Sequence, residues 1–118
     1  MPIATCHCQS VRIEVSRLPE ALTSCNCTLC RRVAGLWAYY TSGEVSIDVG
    51  EAGTQTYIQG DRKLAMHHCA NCGCTTHYVG LEPGKDRVAV NMRMMDPTDI
   101  EGIRIRHFDG AERWTYLD

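Results

Sequence analysis

The sequence predicts one small, mainly β domain, stabilised by metal-bound cysteines and carrying only short helices. Three observations predict it. The first is that runs of strand-forming residues separated by Gly-rich turns recur at intervals of about eight to twelve residues, and the second that no segment has the periodicity of a long helix. The third is the cysteine content: eight thiols fall into close pairs and a triplet, within a chain of 118 residues. A chain of that length suits one domain, 1–118, with a core small enough to profit from metal reinforcement.

Taken in order, Cys6-His7-Cys8 predicts a curled knuckle at the opening of the fold. Val11–Ser16 alternates apolar and polar residues as a half-buried strand, and Ala21–Ser24 makes a short second one. Thr28–Val33 tolerates one or two helical turns, ended by Gly35. Leu36–Thr41 is rich in strand formers, Ser42-Gly43 signals a turn, and Glu44–Val49 and Thr54–Gln59 are further strands. Arg62–His68 leads into Cys69-Ala70-Asn71-Cys72-Gly73, where glycine permits the tight backbone of a thiolate knuckle. Thr75–Val79 and Arg87–Met92 are strands joined across the turn at Pro83–Asp86. Met94 and Met95 are expected to fill core gaps. Asp96-Pro97 caps a short helix, Ile103–Phe108 is the last clear strand, and Trp114 and Tyr116 are expected to pack at the end.

The formal net charge of −2 gives no support for a nucleic-acid surface. No apolar run is long enough for a membrane span. The N-terminus lacks the basic and apolar regions of a secretory signal, so a cytoplasmic chain is expected. In a reducing compartment eight cysteines are poor candidates for four disulfides. C-x-C and C-x-x-C spacings instead bring several thiolates to one point, as a metal site requires.

Eight thiols can fill two four-thiolate sites, or one such site and a three-thiolate one. The two knuckles pair naturally: Cys6 and Cys8 with Cys69 and Cys72, closing a loop of more than half the chain. Cys25, Cys27 and Cys30 form the triplet. Three ligands within six residues can hold one face of an ion and leave a fourth position open for chemistry. Arg31 and Arg32 follow at once, either to meet substrate carboxylates or as a solvated face. Cys74 has three readings: a fourth ligand that closes the triplet, a buried thiol, or a neighbour that modulates the site. His7, His67, His68, His77 and His107 are alternative ligands or acid/base groups, but a lone histidine is more often structural; His77 is the one to watch, because it follows the second knuckle on its strand.

Together these motifs resemble the glutathione-dependent formaldehyde-activating enzyme family, which includes the centromere protein V group. The resemblance rests on Cys6-His7-Cys8 followed by Val11-Arg12, on Cys25-Asn26-Cys27-Thr28-Leu29-Cys30-Arg31-Arg32, and on Cys69-x-x-Cys72-Gly73, and runs from about residue 4 to residue 110. It implies an Mss4-like, zinc-stabilised β-sheet fold. It also implies structural zinc ligands Cys6, Cys8, Cys69 and Cys72, and a catalytic zinc on Cys25, Cys27 and Cys30. The implied activity is carbon–sulfur lyase chemistry on an adduct of glutathione, a small-molecule thiol, with formaldehyde or a similar aldehyde. Cys74 departs from the small or hydroxyl residue that family members commonly carry there. The alternatives are a non-catalytic module in which both metals are structural, and a redox or metal sensor built on Cys74 and the triplet.

Overall fold

The computed structural model describes residues 2–118. Strands β1 (Ile3–Thr5), β2 (Arg12–Val15) and β5 (Val45–Asp48) form an antiparallel three-stranded sheet in the order β1-β2-β5. The other eight strands are β3 (Ala21–Cys25), β4 (Trp37–Tyr40), β6 (Thr54–Ile58), β7 (Leu64–Cys69), β8 (Thr75–Gly80), β9 (Val88–Asn91), β10 (Arg104–Asp109) and β11 (Thr115–Tyr116). They make one large sheet in the order β11-β10-β3-β4-β9-β8-β7-β6. Two helices of a single turn complete the mainly β fold: α1 (Cys30–Val33) and α2 (Pro97–Ile100).

Alternation along the strands decides what each face of the large sheet meets. Ala38, Tyr40, Val88 and Val90 turn to one side and pack with Val11 and with Ala4, Ile13 and Val15 of the small sheet. Met92, Met94 and Met95 are buried in the same core, as the sequence predicts. Burial of branched and aromatic side chains at these positions supplies the main apolar driving force. Trp37, Ala89, Tyr78 and Met66 turn to the other side, where Cys30 of α1 covers them. Strand register sets Tyr39, Ala89, Tyr78, Met66 and Tyr57 side by side across β4, β9, β8, β7 and β6.

Several local expectations resolve differently. β1 precedes the first knuckle and pairs with β2, so the fold opens before Cys6. Helix α1 ends on Ala34 in the left-handed region (φ 58°), not on Gly35. Gly35 is needed for another reason: a Cβ there would lie 2.6 Å from the indole of Trp37. Ser42–Glu44 is a short 3-10 turn whose Thr41 and Glu44 cap each other reciprocally. Asp96 caps α2 as expected, accepting from the Thr98 N–H at 2.9 Å with Pro97 in the first turn.

β10 lies parallel to β3, with Phe108 opposite Cys25. This non-local pairing carries the C-terminal turn to the cysteine triplet. Asn26 fastens the two: its Nδ2 donates to Asp109 Oδ1 at 3.1 Å, its Oδ1 accepts from the Ala111 N–H at 3.0 Å, and its own N–H donates to the Phe108 carbonyl at 3.2 Å.

Candidate metal centres and the adjoining cleft

Cys6, Cys8, Cys69 and Cys72 converge with their sulfurs all within 4.8 Å of one another. The two knuckles do this by backbone geometry. In the first, Gln9 sits at φ 68° and its N–H donates to the Cys6 carbonyl at 3.0 Å. In the second, Gly73 sits at φ 79° and donates to the Cys69 carbonyl at 2.9 Å. Ser10 Oγ lies 3.2 Å from Cys8 Sγ and 3.3 Å from Cys69 Sγ. That hydroxyl is the main reason the Cys8 thiol is held down to about 5, with Asn71 adding to it, and it also lowers Cys69. Cys6 is pushed up by burial, although the Val11 N–H donates to its sulfur at 3.3 Å. A ring of close sulfurs with donors aimed at them fits a cation that takes thiolates.

The second group is Cys25, Cys27 and Cys30, also mutually within 4.8 Å. Cys25 ends β3 and Cys30 begins α1, so the strand-to-helix turn gathers all three. The Cys30 N–H donates to Cys27 Sγ at 3.2 Å and the Cys27 N–H to Cys25 Sγ at 3.5 Å. Hydrogen bonding from the Cys30 thiol, with help from the Cys27 and Gly110 amides, holds Cys25 down to about 6. Cys30 is pushed far up by the same contact, by burial and by the charge on Cys25. Cys25 and Cys30 thus share a proton, and a cation can replace it. Gly110 is a requirement of the site: a Cβ there would lie 2.7 Å from Cys25 Sγ and 3.2 Å from Cys27 Cβ.

All three thiols of the triplet line a cleft of about 580 Å³. Cys6, Cys8, Cys69 and Cys72 line neither this cleft nor the smaller hollow beside it. Cys74 lies with the first group: it packs in the core that holds Cys8 and Cys72, and burial and the charge of Cys72 raise its thiol. It does not join the triplet.

The basic residues facing the cleft differ from those the sequence singles out. Arg31 and Arg32 do not line it. Arg32 Nη1 donates to the Thr28 carbonyl at 2.7 Å. Lys63, Lys85 and Arg87 line it instead, beside Asp61 and Glu82. Lys85 is paired to Glu82 at 2.9 Å, and the Arg87 guanidinium sits 4.1 Å from the Tyr39 ring centroid. Lys63 has no ion-pair partner among the described residues. Sequence reasoning missed these cations because they sit around the β7–β8 hairpin, far from the triplet in sequence, where Leu64–Gly80 register brings them to the same edge. The aromatic lining was only half legible: Trp37 and Tyr39 come from the strand-forming run Leu36–Thr41, but Tyr78 and Phe108 arrive from other strands.

His77 belongs to neither cysteine group. It is buried, its Nδ1 lies 2.7 Å from Thr76 Oγ1, and its ring stacks on His67 with centroids 4.3 Å apart. It is a satisfied core histidine, and burial lowers its pKa to about 4. Trp114 does not pack into the end of the fold: it is 73% exposed at the cleft, edge-on to Phe108 at 5.1 Å.

A mainly β domain with two separate thiol clusters suited to metal, one of them opening onto a cleft, defines the class of protein. The chain belongs to the family described as glutathione-dependent formaldehyde-activating enzyme, which matches residues 1–108. It is also similar to the crystal structure of a Rhodobacter sphaeroides protein determined as a structural-genomics target, with 26% identity and a TM-score of 0.69. The match covers 87% of this chain and 98% of that one. No curated protein matches.

Proposed function

We propose that this chain is a zinc-dependent enzyme of carbon–sulfur lyase type. It makes and breaks the adduct between a small thiol, glutathione foremost, and formaldehyde or a similar small aldehyde. The observation that carries this reading is the unequal placement of the two thiol clusters: Cys25, Cys27 and Cys30 line the cleft of about 580 Å³, and Cys6, Cys8, Cys69 and Cys72 do not. Family membership supports the glutathione and formaldehyde theme.

Cys6, Cys8, Cys69 and Cys72 would hold a structural zinc, and Cys25, Cys27 and Cys30 a second one. All-thiolate donor sets favour zinc. A zinc at the triplet would supply a Lewis acid that keeps a bound thiol ionised near neutral pH. The remaining work falls to this chain's own groups. Burial raises Tyr39 and Tyr78, which keeps both hydroxyls protonated. Both line the cleft, and because their hydroxyls are hydrogen-bonded to each other with Tyr78 donating, Tyr39 is left as the donor for the aldehyde oxygen as it gains charge on addition and loses it on elimination. Lys63, unpaired at the edge of the cleft, is suited to a carboxylate of the thiol. The apolar floor excludes water around the adduct.

The test is the exchange of formaldehyde and glutathione with S-hydroxymethylglutathione, followed by NMR with zinc-loaded protein. A rate well above the spontaneous one, lost in Cys27→Ser, is expected. No rate above the spontaneous reaction would overturn the reading. A module with two structural zincs is the second reading. It needs a fourth ligand at the triplet, and Cys74, its best candidate, packs with the other cluster. Zinc content unchanged in Cys74→Ser is therefore expected.

A further inference from the structure

Six of the eight Phe, Trp and Tyr residues in the chain line the one cleft. Some of them are core: Trp37 is fully buried, and Tyr78 nearly so. Trp114 is not. It is 73% exposed, and it holds a left-handed backbone conformation (φ 53°) that is costly for a bulky side chain. The turn around it is built to keep it there. Its N–H donates to the Asp109 carbonyl at 2.7 Å, and the Asp109 carboxylate accepts from the Glu112 N–H at 3.2 Å and the Arg113 N–H at 3.3 Å. Asn26 ties the same Asp109 to the triplet loop. Phe108 stands edge-on to the Trp114 ring and also to Tyr116, whose hydroxyl is fixed 2.9 Å from Thr23 Oγ1. The result is an exposed apolar platform at the β10–β11 end of the sheet, tied to the triplet loop through Asp109 and Asn26.

The other end of the cleft is charged. Lys63 precedes β7, which lies next to the opposite edge of the strand order. The cleft therefore runs from an aromatic end, past the thiols, to a charged end where Lys63, Lys85 and Arg87 stand beside Asp61 and Glu82. Its volume of about 580 Å³ suits a ligand of drug-like size, not a one-carbon aldehyde alone.

We propose that this cleft takes thiol adducts of larger aldehydes, in which an aryl or comparably broad apolar group rests on Trp114 and Phe108. This rests on the thiol-adduct reading above. The sulfur lies at Cys25, Cys27 and Cys30, and a carboxylate of the thiol meets Lys63. The reaction is the same reversible addition with a different aldehyde. The sulfur–carbon bond forms, the carbonyl π bond breaks, and the thiol proton passes to the new hydroxyl. No oxidant or reductant enters.

The test is binding to the zinc-loaded full chain by calorimetry, with two thioether probes that share the peptide: S-benzylglutathione and S-methylglutathione. The benzyl compound should bind about tenfold more tightly, as one well-placed aromatic contact allows. Trp114→Ala should erase that preference, leave S-methylglutathione binding within about twofold, and leave zinc content unchanged. Trp114→Phe should restore most of it, which separates loss of the platform from loss of the turn. Equal affinity for the two probes in the unaltered protein would overturn the inference while leaving the thiol-adduct reading in place. Binding of neither probe to zinc-replete protein would overturn both. A dimer that Trp114→Ala dissociates would overturn it too, because Trp114 would then face a second copy of the chain.

Discussion

The two thiol clusters use the same donor atom and differ in the distance along the chain that each gathers. Cys8 and Cys69 are 61 residues apart and their sulfurs lie 3.7 Å from each other. Cys25, Cys27 and Cys30 come from a single strand-to-helix turn. An ion at the first cluster ties the small sheet to the large one and closes a long loop. An ion at the second constrains a turn that the backbone and the Asn26–Asp109 clasp already hold. The first cluster adjoins the apolar core, and the second faces a cleft. Span along the chain, more than donor identity, therefore predicts that loss of the first cluster unfolds the domain and that loss of the second leaves it folded.

The largest expected effect follows directly. Cys69→Ser removes a ligand from the long-range cluster. Apparent binding energies at structural zinc sites reach roughly 10–16 kcal/mol, comparable with the whole stability of a domain, about 5–15 kcal/mol. The variant should be insoluble, or unfolded by circular dichroism, at 25 °C. A folded Cys69→Ser protein with an unchanged Tm would erase the distinction between the clusters.

Cys27→Ser is the counterpart. It should retain the fold, with Tm within a few degrees of the parent, keep about one zinc per chain in place of two, and lose more than about 100-fold in the thiol–aldehyde exchange rate. Release of zinc to a chromogenic chelator should be biphasic in the parent and lose its fast phase in this variant. A single slow phase in both would mean that the triplet is as closed as the other cluster.

Much of this contrast was legible in the sequence. Period-two alternation located β2 and β5 almost to the residue, and Asp96-Pro97 located α2, because both signals are local. The pairing of Cys6 and Cys8 with Cys69 and Cys72 was readable because knuckle spacing fixes sulfur direction over a few residues. The cleft was not readable. Its walls depend on the parallel pairing of β10 with β3 and on hairpin register, which are settled by packing between residues far apart in sequence. Arg31 and Arg32 had two readings, partners for substrate carboxylates or a solvated face; the turn of α1 takes them away from the cleft, and Lys63 and Arg87 line it instead. Trp114 carried no sign of exposure, since composition alone assigns a tryptophan to the core.

Gly110→Ala sharpens the comparison at smaller scale. The added Cβ would meet Cys25 Sγ at 2.7 Å, so either the sulfur or the β10–β11 turn must shift. Affinity at the triplet should fall by about 10- to 100-fold, the cost typical of disturbing the supports of a metal site. The slow zinc phase and the Tm should stay put. Weakening of both zincs together would mean that the two clusters are coupled through the sheet.

The smallest effect tests whether acid destabilises the large sheet apart from its thiols. His77 is buried against His67, and burial holds its pKa at about 4, below the ordinary 6.5. Below pH 6.5 the unfolded chain binds this proton and the folded chain does not, until the pH approaches 4. The stability contributed is therefore complete above pH 6.5 and is lost progressively as the pH falls toward 4. Between pH 7 and pH 5.5 the loss should be about 1 kcal/mol. His77→Gln removes the titration, so its Tm should fall less steeply over that interval than the parent's, whatever its stability at pH 7. Thiolate protonation is common to both proteins and cancels in the difference of slopes. Parallel slopes would show that His77 does not carry the acid lability, and would leave it to His67, to carboxylates held below their ordinary range such as Asp109, and to the cysteine clusters.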